Sequence, residues 1–98
     1  MEIMKPYRRR IDEIDDRIVD LLAARTDIIR EVAVFKAENG IPAVLQDRVD
    51  EVIARTAARA RAKNLDPALV EKLYDILVSY SCGLEEAMMT PQHRKTGR

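Results

Sequence analysis

Tryptophan is absent from the 98-residue chain, phenylalanine and cysteine occur once each, glycine three times and proline four times. So few chain breakers, with no alternating strand pattern, internal repeat or low-complexity block, exclude a turn-rich β architecture and point to helices. Net charge is missing too, because seventeen Lys and Arg balance seventeen Asp and Glu. There is thus no overall field to draw in nucleic acid or an anionic membrane. No apolar run approaches the ~18 residues that span a bilayer, and the charged N-terminal stretch lacks a signal-peptide core. The lone Cys82 cannot form an intrachain disulfide, so a cytoplasmic location is expected, with a free buried thiol as its ordinary role. No metal-ligand cluster, glycine-rich phosphate loop or Ser-His-Asp set can be assembled, which leaves cofactor-free chemistry or none. His93, the single histidine, falls in the polar tail TPQHRKTGR, expected to fray from about residue 90 and to leave the imidazole solvated and idle.

What is present is apolar periodicity. Hydrophobic residues make up 47% and charged ones 35% of the chain, enough for one domain covering residues 1–98. A first helix is expected from about Pro6 to Asn39, stopped by Gly40 and Pro42. A second begins at Gln46 or Asp47 and ends near Lys63, with Val49, Val52, Ile53, Thr56, Ala57 and Ala60 as its narrow inner face. A third restarts at Asp66-Pro67, an N-cap followed by proline at the first helical position, and carries the stripe Val70, Leu73, Leu77, Tyr80, Leu84 and Met88. The first helix is a rod of about 50 Å, whereas a compact domain of ~100 residues has a radius of gyration of about 13 Å. A second copy of the chain packed along the rod solves this, so an all-α, intertwined homodimer of three-helix chains is expected.

The stripe of the first helix runs through Met4, Tyr7, Ile11, Ile14, Ile18, Leu21, Arg25, Ile28, Val32 and Phe35. Arg25 is the exception, a permanent cation in an apolar seam, costly to desolvate without an anion. Lys36 lies eleven residues on, about three turns, and shares its face. Arg8, in the run YRRR, lies seventeen residues before Arg25, about 25 Å along the rod, so the two can hold one small ligand only across a dimer. Arg48 falls in the first turn of the second helix, beside free backbone N–H groups. Ser81 and Glu85 are neighbours on the third. Each has an ordinary alternative: a solvated face for Arg8 to Arg10, snorkelling for Arg25, the helix dipole for Lys36, and a lysine partner for Glu85. Together the cations suggest a small dianion held inside a helical dimer.

From Pro6 to Met89 the chain resembles the all-helical class of chorismate mutases. The likeness lies in R-x-x-I-D-x-I-D-x-x-I-x-x-L-L-x-x-R from Arg8 to Arg25, V-A-x-x-K ending at Lys36, the loop Ile-Pro and D-R at Asp47-Arg48. The L-D-P helix start and the Ser81–Glu85 segment complete it. The resemblance implies an intertwined homodimer that converts chorismate to prephenate without a cofactor, on the way to phenylalanine and tyrosine. It further implies that Arg25 and the partner's Arg8 bind the two substrate carboxylates, with Arg48 near the ring and Ser81 positioning it. Lys36 and Glu85 are the implied catalytic pair, approaching the ether oxygen from two sides.

Three positions depart from the bacterial pattern. Glu85 stands where many members have glutamine; a carboxylate there repels the developing charge and a carboxylic acid stabilises it, so activity is expected to favour acidic pH. Leu45 and Val49 replace an aspartate and a glutamate, the latter a holder of the ring hydroxyl. An apolar residue at 49 is in keeping with a sister branch, the isochorismate-pyruvate lyases, whose product is salicylate. Glu85 argues against the lyase, and the mutase is the reading preferred. A purely structural or partner-binding helical dimer is the alternative outside enzymology.

Overall fold

The structure, a computed structural model, describes residues 2–90. After a short 3-10 turn (Glu2–Met4) come three helices: α1 (Lys5–Asn39), α2 (Gln46–Ala62) and α3 (Pro67–Met89). The expected tail beyond Thr90, with His93, lies outside the described residues.

Local chemistry explains the boundaries. Pro6 opens α1, where a missing N–H costs nothing. Gly40 closes it in the left-handed region at φ 64°, its N–H and that of Ile41 both donating to the Lys36 carbonyl. At the end of α2, Lys63 N–H donates to the Arg59 and Ala60 carbonyls while Asn64 takes a φ of 57°. Asp66 then caps α3, its carboxylate accepting from Ala68 N–H at 2.9 Å.

α3 is the middle element and packs against both α1 and α2. Arg25 meets Ser81 and Lys36 meets Glu85, so residue numbers rise together and α3 runs parallel to α1. α2, joined to α3 by a tight turn and packed on it, runs antiparallel to both. Thr56, Ala57 and Ala60 are small enough to let α2 close on Val70 and Val78 of α3, and all five are buried. On α1, Ala33 alone among the described residues reaches full burial.

The expected stripe of α3 is only partly the buried one. Val70 is buried and Leu77, Leu84 and Met88 are half-buried, but Leu73 and Tyr80 are exposed. Val78, Ser81 and Glu85 take the inner positions instead. A helix flanked by neighbours on two sides buries a face that lies between two apolar rows, which a single row at steps of three and four does not reveal.

The molecule measures 55 × 31 × 16 Å, with a radius of gyration of 17.4 Å. Its smallest dimension is little more than the ~10–12 Å diameter of one helix. It is one layer of helices, and a layer needs a second to cover its apolar face. Tyr7, Ile11, Ile14, Ile18, Leu21, Ile28 and Phe35 of α1 are all about half-exposed or more, as are Leu73, Ile76 and Tyr80 of α3. A continuous apolar surface of this length marks an interaction face. None of the described helices is long and apolar enough to cross a membrane.

Candidate active site

The backbones of α1 and α2 stay apart while both lean on α3, and the space between them is a cleft of about 120 Å³. α1 contributes Arg25 and Lys36 to its walls, α3 contributes Ser81, Cys82 and Glu85, and α2 with its leading loop contributes Leu45, Arg48 and Val49. Five of the six residues named from the sequence therefore line one cleft. The sixth, Arg8, is exposed on the opening turns of α1, in a shallow depression with Asp12 and Asp16. It stands on the same rod as Arg25, and the spacing that kept the two apart in sequence keeps them apart here.

Arg25 donates from Nη1 to the Ser81 hydroxyl at 2.7 Å and has no carboxylate partner among the described residues. Ser81 is buried, so this bond aims the guanidinium into the cleft. Lys36 Nζ donates to Glu85 Oε1 at 2.7 Å and to the Ala43 carbonyl at 2.8 Å. The side chains of the pair are only 13% and 6% exposed. The ordinary alternative for Glu85, a lysine partner, is thus present, and the lysine is the other proposed catalytic group. Arg48 sits at the rim, exposed and ion-paired with Glu51 one turn on. It is free to turn inward, since an exposed pair of this kind is worth at most about 1 kcal/mol.

The sequence reading missed Cys82, treated there as a bland buried thiol. It is half-buried and lines the cleft beside Ser81, one turn before Glu85. Burial pushes its thiol up from the ordinary value, and the Glu85 carboxylate adds to the rise while Lys36 opposes it. The i, i+3 relation of Cys82 to Glu85 was the signal that would have found it. Leu45 and Val49 do face the cleft, joined by Val52, so the α2 wall is apolar apart from Arg48. Among the described residues no group of His, Cys, Asp and Glu could hold a metal ion.

Three cations, one hydroxyl and one carboxyl thus converge on a small cleft with apolar walls. Such a set is chemically suited to hold an anion and to stabilise negative charge, and the raised thiol of Cys82 is disfavoured as a nucleophile.

Residues 7–86 match the family described as "Chorismate mutase type II". A 4-amino-4-deoxychorismate mutase of Streptomyces venezuelae is 29% identical over 87 residues, covering 89% of this chain and 84% of the relative. A protein of the same name from Streptomyces pristinaespiralis is 30% identical over 79 residues, 81% of this chain and 61% of the relative. The chorismate mutase of Methanocaldococcus jannaschii is 27% identical over 95 residues, 97% of this chain and 96% of the relative. No solved structure gives a significant match. With the family matched over nearly all of the helical region and the cations gathered in one cleft, the chain belongs to the type II chorismate mutase family and is an isomerase.

Proposed function

We propose that this chain converts chorismate to prephenate as a homodimer in the cytoplasm, with two equivalent sites, in aromatic amino acid biosynthesis. The observation that carries the reading is the convergence of Arg25, Lys36 and Arg48 with Glu85 in the α1–α2 cleft. The reaction is a unimolecular 3,3-sigmatropic rearrangement in which the ether C–O bond breaks as a new C–C bond forms. No proton, nucleophile or cofactor enters. A catalyst must fold the substrate into a compact diaxial shape and stabilise charge developing on the ether oxygen.

Arg25 takes one substrate carboxylate, already aimed by Ser81. The partner's Arg8 takes the other, which is why the cleft of one chain is smaller than the ~300 Å³ where ligand pockets generally begin. Arg48 swings in from its exposed ion pair to add positive charge beside the ring. Lys36 exchanges its bond with Glu85 for bonds to the substrate, so the substrate must part the pair. Glu85 then meets the ether oxygen as a carboxylic acid, donating a hydrogen bond that strengthens as the oxygen gains charge. A well-placed donor of this sort lowers a barrier by about 3 kcal/mol. The exposed stripe of α1 and α3 supports the dimer, because a second copy supplies both the missing layer and Arg8.

A second reading rests on the α2 wall. Leu45, Val49 and Val52 offer no group that could hold a ring hydroxyl, and two relatives are named for the 4-amino analogue of chorismate. Isochorismate, with its hydroxyl elsewhere on the ring, is the third substrate that the wall permits. Product analysis by NMR with all three, near pH 5 and near pH 7.5, decides among them. Prephenate formed from chorismate, faster at the lower pH, supports the mutase and the neutral-acid role of Glu85. Preferential turnover of the amino analogue, or salicylate and pyruvate from isochorismate, shifts the substrate. Silence on all three refutes the enzymatic role of the cleft.

A further inference from the structure

The second half of α2 is charged on one side in a way the cleft does not use. Between Val52 and Leu65 the chain carries Arg55, Arg59, Arg61 and Lys63 and no acidic residue. Arg55, Arg59 and Lys63, at steps of four, rim a groove of about 240 Å³ whose floor includes Thr56, Val70 and Tyr74. Like charges at this spacing weaken a helix on its own. Arg55 and Arg59 have no ion pair among the described residues. The opposite surplus lies on α1, where Asp12, Glu13, Asp15, Asp16 and Asp20 face only Arg17 between Ile11 and Ala24. Asp12 and Asp15 are likewise without an ion pair among the described residues.

We infer that in the dimer the acidic side of α1 docks on the cationic edge of the other copy's α2, Asp12 against Arg55 and Asp15 against Arg59. This rests on the dimer proposed above, in which Arg8 of each copy enters the other's cleft. Two copies of α1 that exchange Arg8 and Arg25 must run antiparallel. Since α2 is antiparallel to its own α1, the incoming α1 runs parallel to α2. The furrow it occupies is continuous with the apolar groove between α1 and α3, for Tyr74 lines both.

Arg8, Asp12, Asp15 and Val19 lie at i, i+4, i+7 and i+11, one side of a helix. At ~1.5 Å per residue, Asp12, Asp15 and Val19 stand about 6, 11 and 17 Å beyond Arg8. Arg55, Arg59 and Lys63 stand about 5, 11 and 17 Å beyond Val52, the last wall residue of α2 in the cleft. The two ladders match when Arg8 enters level with Val52. Val19, 62% exposed, then covers the turn that carries Leu65, itself 47% exposed. The charges fix the register in which Arg8 is delivered. The chain's own tail, with His93, Arg94, Lys95 and Arg98, has the wrong sign to occupy this edge.

Charge exchange tests it. One variant carries D12K and D15K, the other R55E and R59E, and none of these residues belongs to the catalytic set. Each variant alone meets like charge at both contacts, so its dimer dissociation constant, by sedimentation equilibrium, should rise at least tenfold over the wild type. An equimolar mixture meets opposite charge at both contacts, and should form heterodimers of wild-type affinity and recover mutase activity. Variants that each dimerise like the wild type overturn the register, as does a mixture that fails to recover. In either case a dimeric, active wild type leaves the proposed function standing; a monomeric wild type that turns over none of the substrates fails that underlying reading instead.

Discussion

Replacing Lys36 by methionine keeps the length of the side chain and removes its charge, and the consequence can be worked from the cleft. Lys36 is the cation bonded to Glu85, whose side chain is 6% exposed. Without it a carboxylate is left buried and unpaired, a condition that costs about 3–5 kcal/mol when one partner of a buried pair is removed. The Ala43 carbonyl also loses its donor, a further ~1 kcal/mol. A K36M variant should therefore be about 4–6 kcal/mol less stable, measured by urea unfolding at fixed protomer concentration and pH 8. Adding E85Q removes the stranded charge, so the double variant should regain most of the loss. E85Q alone leaves the Lys36 cation without its counter-ion and should cost about 3 kcal/mol, the low end for a broken buried pair, since Lys36 keeps the Ala43 carbonyl and gains an amide oxygen as acceptors. A K36M loss below about 1 kcal/mol, or a double variant no more stable than K36M, would refute the buried-pair reasoning. Activity should fall in K36M by about 100-fold or more whatever the stability, as for the loss of one preorganised donor.

Three further outcomes are expected. E85Q, whose amide can donate a hydrogen bond in place of the carboxyl, should keep turnover that E85A loses by about 100-fold; an E85A variant as active as the wild type removes Glu85 as a donor to the ether oxygen. R25A should lower kcat/KM by about 100-fold while costing unfolding stability no more than about 1 kcal/mol, because the guanidinium gives up its bond to Ser81 but no carboxylate partner among the described residues. Cys82 should react with iodoacetamide far more slowly than free cysteine at pH 7.5, since burial and Glu85 hold its thiol up and keep the thiolate fraction low; alkylation at the free-cysteine rate contradicts this.

The helix ends were legible in the sequence because their causes are local. Pro6, Gly40 and the Asp66-Pro67 pair act within a turn of where they stand, and each boundary fell within a residue or two of its expected place. Arg25 was legible as an anomaly in a regular row, and the structure places it beside Ser81 in a cleft. What the sequence withheld depends on neighbours. Leu73 and Tyr80 share a row with Val70 and Leu77, yet only the position of α1 and α2 decides that they stay uncovered. The direct bond between Lys36 and Glu85, forty-nine positions apart, is set by the packing of α3 on α1 and by no local pattern. Cys82 was legible only through its i, i+3 relation to Glu85, since nothing else near it in sequence says that its side of α3 faces a gap.

The thirty-five residues of α1 run from Lys5 to Asn39 without an interior glycine. That continuity makes the helix a phase standard as well as a scaffold. One residue inserted between Arg8 and Arg25 would leave every side chain chemically intact, yet turn one arginine about 100° relative to the other. Seven inserted residues would bring the angle back to within about 20°, but would part the two by a further ~10 Å. No length change restores angle and distance together, and no hinge lies between to absorb the error. Over those seventeen positions a substitution disturbs one contact, whereas the gain or loss of one residue disturbs them all.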